Sequence, residues 1–244
     1  MADEPGLLLK LSDIHFSYPG GVPVLKGLDF ELREGDRLGL TGLNGSGKTT
    51  FFHLIVGLLK PSRGHIEAFG RRLATEEDFV VARRRIGLLF QDADDQLFSP
   101  TVLEDVAFGP LNLGKTPAEA RRIAMRTLKD LGLAGFEGRL IHRLSGGEKK
   151  LVSLATLLSM EPEVLLLDEP TNGLDETTRN NFLRILNGLK ISYIIISHEY
   201  DFLEKSVRAV YAMTDGQICG DEKITLHRHF HAHPHGSLPH RHDP

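Results

Sequence analysis

At 244 residues, with 41% hydrophobic and 25% charged side chains, the chain has the length and composition of a soluble globular protein with a substantial core. Its formal charge of −4 supplies no global basic field for nucleic acid or anionic lipid, and its single cysteine, Cys219, excludes an intramolecular disulfide and reads as a core thiol. The acidic start Met1-Ala2-Asp3-Glu4-Pro5 is unlike a secretory signal, and no apolar run approaches the roughly 20 residues that cross a bilayer. A cytoplasmic location with no direct membrane span is therefore expected.

Leu7 to Phe16 alternates apolar and polar side chains, as does Leu28 to Leu32, with Tyr18-Pro19-Gly20-Gly21 as the turn between them. A small antiparallel sheet is expected there. Tyr18 either stacks on a purine ring or packs against its neighbours. Arg37 to Leu40 is a strand-like run and Thr50 to Leu58 a helical one. Between them Gly42-Leu43-Asn44-Gly45-Ser46-Gly47-Lys48-Thr49 matches the phosphate-binding pattern G-x-x-x-x-G-K-[ST], in the strand-to-helix context that the pattern requires. The glycines let successive N–H groups point at a phosphate, and the positive end of the next helix faces the same anion. Lys48 would reach the β- and γ-phosphates of a nucleotide, and the Thr49 hydroxyl would hold Mg²⁺. Gly42, Asn44, Gly45, Ser46, Gly47, Lys48, Thr49 and Thr50 are the candidate nucleotide-binding residues of this loop.

Lys60-Pro61-Ser62-Arg63-Gly64 marks a turn, followed by a short strand His65 to Phe69. A helix beginning near Thr75 is expected to end at Arg83-Arg84-Arg85, where cations suit the C-terminus and solvate it. Ile86 to Phe90 reads as a buried strand ending at Gln91. The segment Asp92 to Asn112 is rich in turn formers and carries exposed-looking apolar residues such as Leu97 and Phe98. It gives way to a helix with Thr116 as N-cap, Pro117 first, Glu119 completing a capping box, and Gly132 near the end. The middle third is thus largely helical and reads as a subdomain inserted into an α/β core.

A second capping-box pattern, Ser145-Gly146-Gly147-Glu148, precedes the amphipathic run Leu151 to Met160, and its glycines permit close approach of an anion. Val164-Leu165-Leu166-Leu167 lacks alternation, which fits a central parallel strand. Asp168 and Glu169 then fall at its carboxyl end, where α/β sheets place ligand chemistry. Ile194 to Ser197 repeats the strand pattern and delivers His198 to the same edge.

In this order the motifs resemble the nucleotide-binding domain of ABC transporters, from about Leu7 to Gly220. The matching pieces are the phosphate loop at Gly42 to Thr49, Gln91 as the Q-loop, Leu144-Ser145-Gly146-Gly147-Glu148 as the signature, Val164 to Glu169 as Walker B, Asp175 in the D-loop, and His198 as the switch. The fold implied is α/β, a P-loop NTPase core with an antiparallel β subdomain and an inserted α-helical subdomain. The domain would span 5–220, its helical part about 92–160. By the same resemblance Asp168 would orient Mg²⁺ through water, alongside Thr49 and Gln91, and Glu169 would polarise the water that attacks the γ-phosphate. His198 would bond the γ-phosphate and that water, and Gln91 would sense that phosphate while touching the transmembrane partner. Ser145 and Gly147 would face ATP held by a second copy, so a head-to-tail dimer enclosing two ATP molecules is implied. Glu148 stands where many relatives have glutamine, a change expected to be tolerated because serine and glycine make the phosphate contact.

Phe90 to Ser99, then Thr101-Val102 and Glu104 to Pro110, is similar to the ATPase of energy-coupling-factor transporters, importers of vitamins and of cobalt or nickel. Leu97, Phe98 and Phe108 would then line a groove for a helix of a transmembrane coupling subunit, or else form the core of the helical subdomain. A substrate-binding membrane subunit completes the implied partners, at the cytoplasmic face of the membrane. The tail, 221–244, is histidine-rich: His227, His229, His231, His233 and His235, then His240 and His242. In an extended chain this i, i+2 spacing offers several imidazoles on one face to one Ni²⁺, Co²⁺, Cu²⁺ or Zn²⁺; the alternatives are a tag remnant or a polar tail with incidental histidines. Pro234, Gly236 and Pro239 argue for a flexible segment. His15, His53, His65 and His142 read as surface or packing residues. The expectation is an ATPase subunit powering nickel or cobalt import, with a vitamin importer or a soluble non-transport ABC ATPase as the alternatives.

Overall fold

A computed structural model of the chain describes residues 6–219. In chain order its first elements are β1 (Leu7–Ser17), β2 (Pro23–Arg33), β3 (Arg37–Thr41), α1 (Lys48–Ile55), β4 (Arg63–Ala68), β5 (Arg71–Leu73), α2 (Glu76–Arg83) and β6 (Ile86–Leu89). Three helices follow, α3 (Val102–Asn112), α4 (Pro117–Asp130) and α5 (Gly146–Leu158). The chain continues through β7 (Val164–Asp168), α6 (Glu176–Gly188), β8 (Ser192–Ile196), α7 (Tyr200–Ser206), β9 (Ala209–Thr214) and β10 (Gln217–Cys219). The histidines expected to bind a transition metal, His227, His229, His231, His233 and His235, lie outside the described residues, as does the side chain of Cys219.

Two sheets form. β2-β1-β4-β5 is antiparallel, and β10-β9-β3-β8-β7-β6 is parallel apart from its β10 edge. The unalternating runs are buried on both faces, as central parallel strands must be. Leu38, Leu40, Val164, Leu166, Ile194 and Ile196 join α1 and the antiparallel sheet in one core cluster. Leu165, Leu167, Tyr193 and Ile195 point the other way, into a second cluster with α3 to α7. The fold is thus an α/β P-loop core with an antiparallel sheet on one side and a helical subdomain reached between β6 and β7.

Three readings of the sequence change. The turn-rich stretch before Asn112 contains α3, capped by a Thr101–Glu104 box. Pro110 lies inside that helix, but Val102, Val106 and Ala107 are buried, and this packing overrides the local penalty. Leu97, expected at the surface, is 7% exposed and belongs to the second cluster, whereas Phe98 and Phe108 are 66% and 45% exposed. Arg83-Arg84-Arg85 does more than solvate a helix end. Arg83 donates to the Val56 carbonyl at 3.0 Å, and Arg85 forks onto both oxygens of Glu163 at 2.5 and 2.7 Å while lying 3.6 Å over the Phe69 ring.

Leu166 is fully buried between the sheets. Leu166→Ala is expected to lower unfolding free energy by about 3 kcal/mol, read from the urea midpoint at unchanged slope.

Candidate functional site

The loop between β3 and α1 turns through three glycines at positive φ: 144° at Gly42, 79° at Gly45 and 108° at Gly47. Two of them are also required by space. A Cβ on Gly42 would stand 2.4 Å from the Met213 carbonyl oxygen, and one on Gly47 would stand 2.8 Å from Leu25 Cδ2. Gly47 is the N-cap of α1 and offers no side chain to its first amides, so these remain for an external anion. The Ser46 hydroxyl is buried in the same loop with no hydrogen-bond partner, a second feature suited to a polar ligand.

Lys48 is 8% exposed, and its ammonium donates to the carbonyls of Gly42 at 2.8 Å and Leu43 at 3.0 Å. Burial pushes its pKa down, opposed by the charges of Glu169 and Asp168. Thr49 donates its hydroxyl to Asp168 Oδ2 at 2.8 Å, joining the start of α1 to the end of β7. Asp168 is 4% exposed, and burial lifts its carboxyl above the ordinary value despite that hydrogen bond. Glu169 adopts a left-handed backbone, φ 44°, unusual for a residue with a Cβ, while its N–H donates to the Ile196 carbonyl at 3.0 Å. This turns its carboxylate toward His198, whose Nε2 stands 3.4 Å from Glu169 Oε1. The Glu169 pKa is also raised by burial, with His198 opposing.

These side chains line one cavity of about 700 Å³ together with Tyr18, Thr50 and Gln91. Tyr18 packs against its neighbours, as one of the two readings has it: its hydroxyl lies 3.1 Å from Thr50 Oγ1 and its ring packs edge-on to Phe16, while it also borders the cavity. Gly42 and Ser46 line an adjoining cavity of about 740 Å³ that shares Asn44, Gly45 and His198 and extends to Tyr200 and Asp215. Ser145, Gly147 and Asp175 line neither. Ser145 caps α5 in a reciprocal box with Glu148, and Asp175 caps α6 by accepting from the Thr178 amide and hydroxyl at 3.0 and 2.7 Å. Glu148 also receives both Arg139 donors, at 2.7 and 3.3 Å.

Sequence reasoning passed over Asn172, which lines the main cavity, and treated His53 as a surface or packing residue. His53 in fact borders a side cavity with Thr49, Gln91 and Asp168, and burial lowers its pKa against the pull of Asp168. It also passed over a network beside His198. Glu199 accepts from the Thr171 hydroxyl at 2.9 Å and pairs with Arg179 of α6 at 2.9 Å, tying the residue that follows His198 to that helix. Nothing local signals these partners; only the position of Glu199 beside His198 hints at it.

Residues 25–172 match the family profile described as ABC transporter. A Nitratidesulfovibrio vulgaris protein provisionally named an ABC transporter ATP-binding protein is 53% identical over 99% of this chain and 89% of its own length. The energy-coupling factor transporter ATP-binding protein EcfA of Methanothermobacter thermautotrophicus is 40% identical over 88% of this chain and 70% of its own. Among solved structures, cbiO1 from Clostridium perfringens, described as part of the ABC transporter complex cbiONQ, superposes with a TM-score of 0.78 at 34% identity over 88% of each chain. The ATP-binding cassette MJ0796, in a dimeric post-hydrolysis state with ADP and Pi, gives 0.81 at 25% identity over 89% of this chain and 99% of its own.

Because burial raises the Asp168 pKa in the folded protein, its ionised form opposes folding above that pKa, and the effect is absent once pH falls below about 4. Asp168→Asn is therefore expected to unfold at a higher temperature than the parent at pH 7.5 in chelator, with the difference shrinking toward pH 4. A difference independent of pH removes this reading of the buried acid.

Proposed function

The chain belongs to the ABC transporter family as an ATP-binding subunit that hydrolyses ATP, and we propose that it powers an energy-coupling-factor importer of nickel or cobalt. The observation that carries the site assignment is the convergence of Lys48, Thr49, Gln91, Asp168, Glu169 and His198 on one cavity. Lys48 and the loop amides bind the β- and γ-phosphates, with Tyr18 against the base. Thr49, Asp168 and Gln91 offer a hard, all-oxygen donor set, which fits Mg²⁺. When bound, that ion supplies charge neutralisation at the phosphates. Glu169 polarises the attacking water, and His198, held beside it, bonds the γ-phosphate. These steps are mainly positioning and charge stabilisation, which a pre-formed, partly dehydrated cluster suits.

Ser145 and Gly147 lie away from this cavity, which supports their assignment to ATP on a second copy in a head-to-tail dimer, with Asp175 near the same junction. Leu43, 84% exposed beside the second cavity, fits a surface that a partner copy covers. The ATPase domain is assigned to 5–220, with 92–160 as its helical part. The energy-coupling-factor type is supported by the relatives bearing that name and by the exposed Phe98–Phe108 pair, whose rings meet edge-on at 4.7 Å in the segment that follows Gln91. A transmembrane coupling subunit would seat on this pair, bringing the protein to the cytoplasmic face of the membrane beside a substrate-binding subunit. The choice of nickel or cobalt rests on the histidines of 221–244. A vitamin importer sharing this ATPase is the second reading, favoured by the general energy-coupling-factor name of the relatives.

Glu169→Gln is expected to retain ATP binding and lose at least about a hundredfold in turnover; turnover at the parental rate removes Glu169 from its role. Lys48→Ala is expected to weaken nucleotide binding by about tenfold or more. Cells expressing the chain with its membrane subunits should accumulate Ni²⁺ or Co²⁺, and Lys48→Ala should abolish this. Hydrolysis with no uptake of either ion retires the metal cargo and leaves the ATPase standing.

A further inference from the structure

Lys150 is a buried cation outside the site described above. It lies on α5, little more than one turn past Ser145, and is 4% exposed. Its ammonium donates to the backbone carbonyls of Phe90 at 3.0 Å and Gln91 at 2.5 Å. An unpaired buried ammonium would be strongly destabilising, and two carbonyls in charge-assisted hydrogen bonds are what permit it here. Burial lowers its pKa, while Asp168, Asp92 and Glu169, the acids facing it, act in the opposite sense.

The surrounding contacts make the segment after β6 and the helix α5 one mechanical piece. Gln96 donates its amide to the Ser153 carbonyl and the Thr156 hydroxyl, both at 2.9 Å, and accepts from the Phe90 N–H at 3.4 Å. Lys149 reaches Asp94 at 2.5 Å, but Asp94 is 65% exposed, so solvent screens that pair. Of these contacts, the Lys150 bond is the one made directly to the backbone of Gln91.

We infer that Lys150 is a positioning residue for ATP hydrolysis: it grips the backbone of Gln91, holding that side chain at the phosphate cavity and tying its place to Ser145 on the same helix. The inference rests on the role that the resemblance implies for Gln91 at the γ-phosphate, within the function proposed above. It extends that role to a residue that lines neither of the two main cavities. A shift of Gln91 would carry the N-terminus of α5 with it, so the state of one ATP site would be felt at the surface offered to the other. Removing the ammonium leaves two carbonyls without their donor and Gln91 without its anchor, while the phosphate loop is untouched.

The test uses the purified full chain with Mg·ATP. Lys150→Met, close in shape and uncharged, is compared with Gln91→Ala and with the double variant. ATP affinity is measured by equilibrium titration, turnover at saturating ATP, and folding by thermal unfolding. Lys150→Met is expected to lower kcat about tenfold while ATP affinity changes less than about twofold. The double variant is expected to be no slower than the slower single variant, because both changes disable the same group. Lys150→Arg, which keeps the donors, should recover part of the loss. If Lys150→Met does not fold, Lys150→Gln takes its place under the same criteria.

A kcat for Lys150→Met within twofold of the parent overturns the inference. So do losses that multiply in the double variant, since Lys150 would then act through something other than Gln91. A slow Lys150→Met beside a silent Gln91→Ala overturns it as well, and also retires the γ-phosphate role of Gln91. A silent Lys150→Met beside a slow Gln91→Ala removes Lys150 alone and leaves that role intact.

Discussion

Leu40, Ile196 and Asp168 stand side by side across three parallel strands, because Ile196 of β8 is paired with Leu40 on one side and Asp168 on the other. Leu167 in turn pairs with Leu89 of β6. The residues that leave this row at its carboxyl edge are the phosphate loop after β3, Ser197-His198 after β8, Glu169 after β7 and Phe90-Gln91 after β6. One register thus delivers the cation, the acids, the imidazole and the amide to one place. Slipping any of these strands by one residue would turn its apolar side chains to the wrong face and carry its functional residue out of line. The two core clusters, each taking alternate residues of the same strands, hold that register from both sides.

What the register gathers is electrostatically unsatisfied in a consistent way. Asp168 and Glu169 are pushed toward their neutral forms by burial, and Lys48 is pushed toward its neutral form by the same cause. Each is partly rescued by the opposite charge of the others. In the proposed function every member would gain from the arrival of a polyanion with a divalent cation, because the lysine would obtain phosphate oxygens and the acids a metal charge. The left-handed backbone at Glu169 belongs to the same design, since it aims the carboxylate at His198 at the expense of an ordinary backbone geometry.

The parts of this protein that were legible in its sequence are those written locally. Glycine spacing, capping boxes at Thr116 and Ser145, and unalternating apolar runs each state a backbone requirement within a few residues, and the structure follows them. The helix α3 was hidden because Gly109 and Pro110 speak locally against it, and only burial of Val102 and Val106 under neighbouring helices answers them. Arg85, Glu148 and Glu199 were opaque for a related reason. Their partners, Glu163, Arg139 and Arg179, are set by how distant segments meet, and a charged residue carries no local sign of which opposite charge it will find.

The same distinction explains how the surface near Gln91 is built. Leu97 is buried as an anchor, Gln96 is bonded to α5, and the amides of Phe98 and Ser99 donate to the Asp105 carboxylate at 3.4 and 3.1 Å. Asp105 is itself 2% exposed, its second oxygen lacks a partner, and burial raises its pKa. A buried acid of this kind is a costly way to hold a turn, and it makes sense where the turn must present something rigidly. What it presents is Phe98, edge-on to Phe108. A partner helix pressing on that pair, as the proposed transporter assembly requires, would therefore act on a stiff segment whose other end carries Gln91, so force applied at the membrane side and charge change at the phosphate side meet in the same few residues.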